Sequence, residues 1–165
     1  MTVATVVGNP KPRSRTFHAA ALVAERLTGQ APDATIDLAE LGADLLDWSS
    51  AAVAEARETV RSADLVVVAS PTYKGSYTGL LKLFLDRFNA DELFGVTAVP
   101  LMLGGDLRHS LAPEVLLKPI LVEIGLTCPT RGLFLVDSTT DDPTVLDDWA
   151  VAARRQVAAT SGRLR

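Results

Sequence analysis

Cysteine occurs once in this chain, at Cys128, so no internal disulfide can form and no cysteine cluster offers a zinc site. Histidine occurs twice, as His18 and His109, and neither has a carboxylate or cysteine at metal-ligand spacing, so no metal site is expected. No Ser/His/acid order stands out, and Ser76 lacks the G-x-S-x-G turn of a strained nucleophile. No catalytic acid, base or nucleophile is therefore assigned. Neither cation nor anion dominates: 16 Lys and Arg stand against 20 Asp and Glu, a net charge of −4, which implies no nucleic-acid or acidic-membrane partner. No apolar run approaches the length of a membrane span. The opening MTVATVVGNP has no basic region ahead of a long apolar run, so a cytoplasmic enzyme or carrier is expected. Aromatics are scarce at 5%, yet both tyrosines, Tyr73 and Tyr77, fall in one short stretch.

That stretch, Ser70 to Gly79, lies between two strongly patterned segments. Asp64 to Ala69 is an apolar, β-branched run suited to a strand buried on both faces. Leu80 to Phe88 is apolar at helical spacing, and a helix is expected over Gly79 to Asn89. Its apolar stripe is wider than one sheet face needs, which suggests a homodimer or homotetramer using this helix and the one at Pro113 to Ile124. Further strands are expected at Thr2 to Val7, Ala34 to Leu38, Gly95 to Leu103 and Gly132 to Val136, although Pro100 speaks against the fourth. Further helices are expected after Thr16 as cap, with Gly29 as stop, over Ser50 to Ser62, and from Pro143 to about Thr160. Ala39 to Trp48 reads as irregular, with Trp48 either covering a ligand or, the better expectation, filling core. At 165 residues with 48% apolar content the chain is expected to form one domain spanning residues 1–165. Strands alternating with helices predict a parallel α/β sheet with right-handed crossovers.

In such a sheet the loops at the carboxyl ends of the strands carry the ligand. Asn9 to Arg15 holds hydroxyl and cationic residues ahead of a helix N-terminus, which is a phosphate site in physical terms. Taken alone, Lys11, Arg13 and Arg15 could equally be a solvated basic loop. The stretch is not a P-loop, because Arg13 stands where the second Gly would be, and no G-x-G-x-x-G is present. The Ser70–Gly79 loop offers two flat rings and small polar groups to a flat, partly polar ligand. Gly104-Gly105-Asp106 would let backbone approach a ring closely.

PTYKGSYTGLLKLFLD resembles the second flavin-contacting segment of the NAD(P)H-dependent FMN reductases, a flavodoxin-like family that includes the reductases of sulfonate monooxygenase systems. GNPKPRSRT is similar to that family's phosphate loop, usually written G-S-x-R-x-x-S-x, and LGGDLRHSLAPEVLLKPIL to its third flavin loop and following helix. The three segments stand in the family's order, and the resemblance runs from about residue 2 to about residue 137. It implies a three-layer α/β sandwich with a five-stranded parallel sheet of order 2-1-3-4-5 and helices on both faces. It implies FMN and NAD(P)H as cofactors, with hydride passing from nicotinamide to flavin. Ser14, Arg15 and Thr16 would hold the phosphate with Asn9 and Lys11 nearby. Pro71, Thr72, Tyr73, Lys74, Gly75 and Ser76 would frame the ring, and Gly104, Gly105 and Asp106 would contact it from the third loop. Asn9 replaces the family's usual Ser and Lys11 its usual Arg, so that a point charge stands where a bidentate fork is customary.

The resemblance also implies a receiver for the electrons: a flavin-dependent monooxygenase partner, or a small acceptor such as a quinone, azo dye or metal oxyanion. A second class is a flavodoxin-like electron carrier with no nicotinamide step. Such carriers are strongly acidic, and −4 over 165 residues is mild. A third is a flavodoxin fold that only binds a partner.

Overall fold

The structure, a computed structural model, describes residues 1–140 and 142–161. Five parallel strands form one sheet in the order β2-β1-β3-β4-β5. They are β1 (Val3–Val7), β2 (Ala34–Asp37), β3 (Leu65–Pro71), β4 (Thr97–Gly104) and β5 (Leu133–Val136). The helices are α1 (Arg15–Thr28), α2 (Leu38–Leu41), α3 (Ala51–Arg61), α4 (Gly79–Leu85), α5 (Lys118–Glu123) and α6 (Asp147–Ser161). The order and the layers are those the family resemblance implies. β1, β3 and β4 are buried along their whole length, which is why their sequences run apolar without alternation.

Successive residues of the central strands serve two cores. Val3, Val7, Leu65 and Val67 pack under α1 and α6 with Ala20, Val23, Leu27, Leu146 and Val157. Ala4, Val6, Val66 and Val68 pack on the opposite face against Leu38, Val53, Leu81, Phe84, Leu117 and Leu121. The alternation is the pleat of a strand covered on both sides. Ser14, not Thr16, caps α1: its hydroxyl accepts from the Phe17 N–H at 3.3 Å. At the far end Gly29 adopts φ 80° and returns its N–H to Glu25 O, as expected of a glycine stop.

Four other expectations need correction. The stretch read as irregular contains α2 and a 3-10 turn over Gly42–Leu46, because Asp37 caps the former through the Ala39 N–H. The helix expected to reach Asn89 ends at Leu85, and the chain turns so that Arg87 Nη1 donates to Leu45 O at 3.2 Å and Asp47 O at 3.0 Å. The helix at Pro113 opens with a π-helical turn, Pro113–Leu117, before α5 begins. Trp48 does not fill core: it is 74% exposed, its ring stacked on the Arg87 guanidinium at 4.4 Å. Pro100 proves compatible with a buried strand. The Ala98 N–H points to Thr127 O, so Pro100, two residues on, turns its nitrogen to the same side, and the β4–β5 ladder starts only at Leu101. No described helix is long and apolar enough to cross a membrane.

The order 2-1-3 makes the connections after β1 and β3 leave in opposite directions, opening a crevice at their carboxyl ends. Gly8, at the end of β1, lies directly against α4: a methyl there would sit 2.5 Å from Leu81 Cβ. Gly8→Ala is expected to lower stability by about 1–3 kcal/mol through overpacking, read as a lower midpoint of urea unfolding. An unchanged midpoint would mean that β1 and α4 are free to move apart.

Candidate functional site

Three loops meet at the carboxyl edge, and their geometry follows from short polar residues that bond the backbone. In the loop after β1, Asn9 Oδ1 accepts from the Lys11 N–H at 2.9 Å, and its Nδ2 donates to Thr16 Oγ1 at 3.0 Å. Asn9 thereby ties the loop to the first turn of α1. Arg13 sits at φ 49°, a left-handed conformation that costs a non-glycine residue about 1–3 kcal/mol. It is held there by Asp37, whose Oδ2 accepts the Arg13 N–H at 2.9 Å.

The loop after β3 begins with the Thr72 N–H bonded to Leu103 O at 2.6 Å. Tyr73 and Ser76 then exchange N–H···O bonds of 2.9 and 3.1 Å around Lys74 (φ 53°) and Gly75 (φ 81°), both left-handed. Two positive φ values in a two-residue turn make it a type I′ hairpin turn. Thr78 closes the loop and joins it to the first one. Its Oγ1 accepts from the Leu81 N–H at 3.1 Å, capping α4, and donates to Gly8 O at 2.5 Å.

In the loop after β4, Gly104 lies against the Phe134 ring, where a methyl would come within 2.7 Å of Cζ, while Gly105 has open space beside it. Asp106 is engaged by Arg108, which donates from Nε and Nη2 to both carboxylate oxygens. These side-chain bonds, with the Arg108 N–H, hold the Asp106 carboxyl down at about 2, so it is ionised and paired at neutral pH. His109 reaches across to the second loop: a methyl at Gly75 would lie 3.5 Å from its Cε1.

Seven of the residues expected from sequence line one cavity of about 360 Å³: Asn9, Lys11, Ser14, Arg15, Thr16, Pro71 and Tyr73. Thr72, Lys74, Gly75, Ser76, Gly104, Gly105 and Asp106 lie in the two neighbouring loops, outside that cavity. Arg13, His18 and Asp137 also line it and were not among the site residues expected. Arg13 had a signal, being a third cation in a phosphate-type loop. Asp137 had none, since it arrives from the end of β5, where its backbone O accepts from Arg15 Nη1 at 3.5 Å. The lining is rich in donors and cations, and α1 opens into it with no acidic residue in its first turn. Such a site suits a dianion.

Other chemistry has little support in the described residues. No group of three or more His, Cys, Asp or Glu is placed to hold a metal ion. Burial pushes the Cys128 thiol up to about 12, so it does not act as a thiolate. Among the described residues four buried polar atoms lack a hydrogen-bond partner, Arg57 Nε, Thr72 Oγ1, Arg87 Nε and Thr130 Oγ1, and Thr72 Oγ1 is the one that belongs to these loops.

A family model described as NADPH-dependent FMN reductase matches residues 1–141. An FMN reductase (NADPH) of Escherichia coli (strain K12) is 33% identical over 157 residues, covering 86% of this chain and 76% of the relative. An NADH-dependent FMN reductase, SfnE, of Pseudomonas putida is 35% identical over 109 residues, covering 66% of this chain and 58% of the relative. Among solved structures, the apo form of an NADH:FMN oxidoreductase (EMOB) superposes with TM-score 0.82 at 31% identity, covering 97% of this chain and 88% of that one.

The loop junction yields a test that needs no ligand. Thr78→Val keeps the shape but removes the hydroxyl, leaving the Gly8 carbonyl unpaired and α4 uncapped. A loss of about 1–3 kcal/mol in urea unfolding is expected. A loss below the error of the measurement would show that the first two loops are not held together by this bond.

Proposed function

The chain belongs to the NADPH-dependent FMN reductase family, and from that membership we propose that the cavity at the start of α1 holds the 5′-phosphate of FMN. The observation that carries this reading is the convergence of Ser14, Thr16, Asn9 and the cations Lys11, Arg13 and Arg15 on one cavity at the positive end of a helix. The protein is an oxidoreductase that works with FMN and NAD(P)H, and we take residues 1–165 as one flavodoxin-like domain.

The donor set fits the group. Hydroxyls and a carboxamide at the helix start can donate to phosphate oxygens, with cations behind them. The Pro71–Ser76 loop would lie along the ring, with Thr72 Oγ1 a buried hydroxyl that has no partner among the described residues. Gly104, Gly105 and Asp106 would meet the ring from the third loop, where the open space at Gly105 admits a close approach. When bound, FMN supplies the redox chemistry, accepting hydride from the nicotinamide and yielding electrons to an acceptor. The protein's share is to bind, orient and keep one ring face open, and none of its side chains needs to act as acid or base. The electrons would go on to a flavin-dependent monooxygenase or to a small acceptor. Because this reaction consumes NAD(P)H, we place it in the cytoplasm.

Oxidation of NADPH and of NADH, each followed with and without added FMN, tests the activity, since the relatives' names divide between the two nucleotides. Flavin-dependent turnover is expected, whereas a carrier of the flavodoxin kind would show none. Tyr73→Phe is expected to change kcat/KM by less than about threefold and Tyr73→Ala to lower it about tenfold, through a loosened ring geometry. Equal effects of the two would assign Tyr73 a role for its hydroxyl.

Assembly as a homodimer or homotetramer through α4 and α5 is supported by what those helices leave uncovered. The apolar surplus of the Leu80–Phe88 stretch is smaller than its sequence suggests, because Leu81, Phe84, Leu85 and Phe88 are buried within the chain. Leu83 and Val122 remain exposed on these helices, and a cavity of about 400 Å³ is lined in part by Leu85, Phe88, Pro119, Ile120 and Ile124. Leu83→Glu is expected to lower the mass measured by sedimentation at micromolar concentration. A wild-type monomer under those conditions would contradict the assembly.

A further inference from the structure

We propose that Asp37 is a positioning residue for the flavin phosphate, acting by holding Arg13 in its left-handed backbone conformation. The inference rests on the reading of the cavity as the FMN phosphate site. Asp37 is the last residue of β2 and lies beside Val7, the last of β1. It is 5% exposed. Its carboxylate serves two elements at once: Oδ2 accepts the Arg13 N–H at 2.9 Å, and Oδ1 accepts the Ala39 N–H at 3.3 Å as the cap of α2.

Arg13 is where the loop after β1 turns into α1, and its φ of 49° is a conformation that non-glycine residues avoid. Ser14, the next residue, is the cap of α1, and Arg15 and Thr16 follow in its first turn. The direction in which these donors enter the cavity therefore depends on the turn at Arg13. A free chain would not keep an arginine there. The bond to Asp37 compensates, and because Asp37 belongs to a strand and caps a helix, it cannot follow the loop if the loop relaxes. A carboxylate can accept from two N–H groups together, whereas an asparagine has one oxygen and would face one of those N–H groups with its own donor. Asp37 touches no ligand in this scheme and acts through Arg13 alone.

The test measures dissociation constants of FMN and of riboflavin, which lacks the phosphate, by flavin fluorescence. Asp37→Asn is expected to weaken FMN about tenfold and riboflavin less than about twofold. In an Arg13→Gly background, where the left-handed turn carries no penalty, Asp37→Asn is expected to change FMN binding less than about threefold. A comparison that leaves Asp37 intact keeps the idea testable should that variant not fold. Arg13→Gly and Arg13→Val both lose the guanidinium, but only Val resists the conformation, so FMN is expected to bind Arg13→Val about fivefold more weakly than Arg13→Gly.

Parallel losses of FMN and riboflavin in Asp37→Asn, or equal FMN affinity in Arg13→Val and Arg13→Gly, would overturn the role of Asp37. Ser14→Ala separates that failure from a deeper one. If it discriminates FMN from riboflavin while Asp37→Asn does not, the cavity reading stands and the brace falls. If no substitution among Arg13, Ser14 and Asp37 discriminates the two flavins, the cavity is not the phosphate site and both readings fall.

Discussion

The close approach of β1 to α4 is the constraint on which the site depends. Gly8 has no side chain, and Leu81 occupies the space one would need. The Thr78 hydroxyl then spans the gap, capping α4 and donating to the Gly8 carbonyl. One small residue and one short polar one thus set the distance between the loop that gathers the cations and the loop that carries the tyrosines. The loops leave strands that are adjacent in the sheet but separated by more than fifty residues of chain. Only the sheet, held by two apolar cores, brings them together.

The first two loops hold left-handed conformations, which Arg13 and Lys74 would not choose and Gly75 accepts freely. Arg13, Lys74 and Gly75 all have positive φ, and two of the three are not glycine. Each is over-determined by its neighbours: Arg13 by the buried Asp37 carboxylate, and Lys74 and Gly75 by the paired N–H···O bonds of Tyr73 and Ser76. Strain held in this way is a common property of loops that must present donors in a set direction. The five-stranded sheet thus carries at its carboxyl edge a rim whose shape is set by a few hydrogen bonds. The ring stack of Trp48 on Arg87 is a separate matter. It orders the segment before α3 on the other face and carries no part of the site described.

Much of the architecture was legible because the central strands are buried on both faces. A run such as Leu65-Val66-Val67-Val68-Ala69 admits few other readings, and the alternation of such runs with helical periodicity implies a parallel sheet. The helices were less legible at their ends. α4 stops at Leu85 although apolar spacing continues to Phe88, because Arg87 turns inward to bond two carbonyls from a distant segment. Trp48 was misread for a related reason: an aromatic in a polar stretch reads as core until a buried cation is found beneath its ring. At the candidate site, the residues of the first loop that line the cavity could be expected from their type and order. Asp37 and Asp137 could not, since nothing near them in the chain marks a carboxylate or carbonyl that will meet a loop far away.

Local patterns in the chain were enough to imply the fold class, the three loops expected to carry the site, and through the resemblance of those loops the family. These are local properties: burial dictates unbroken apolar runs, and a phosphate loop must place hydroxyls and cations ahead of a helix. The tertiary structure decided which of those residues share a cavity and what holds them. Asn9, Ser14, Thr16 and the cations of the first loop join Pro71 and Tyr73 around one space, while the glycines and Asp106 of the third loop stand apart from it. That division depends on register and on contacts such as Gly8 with Leu81 and Arg13 with Asp37. Such contacts arise only when strands distant in the chain are laid side by side, so no local pattern of residues encodes them.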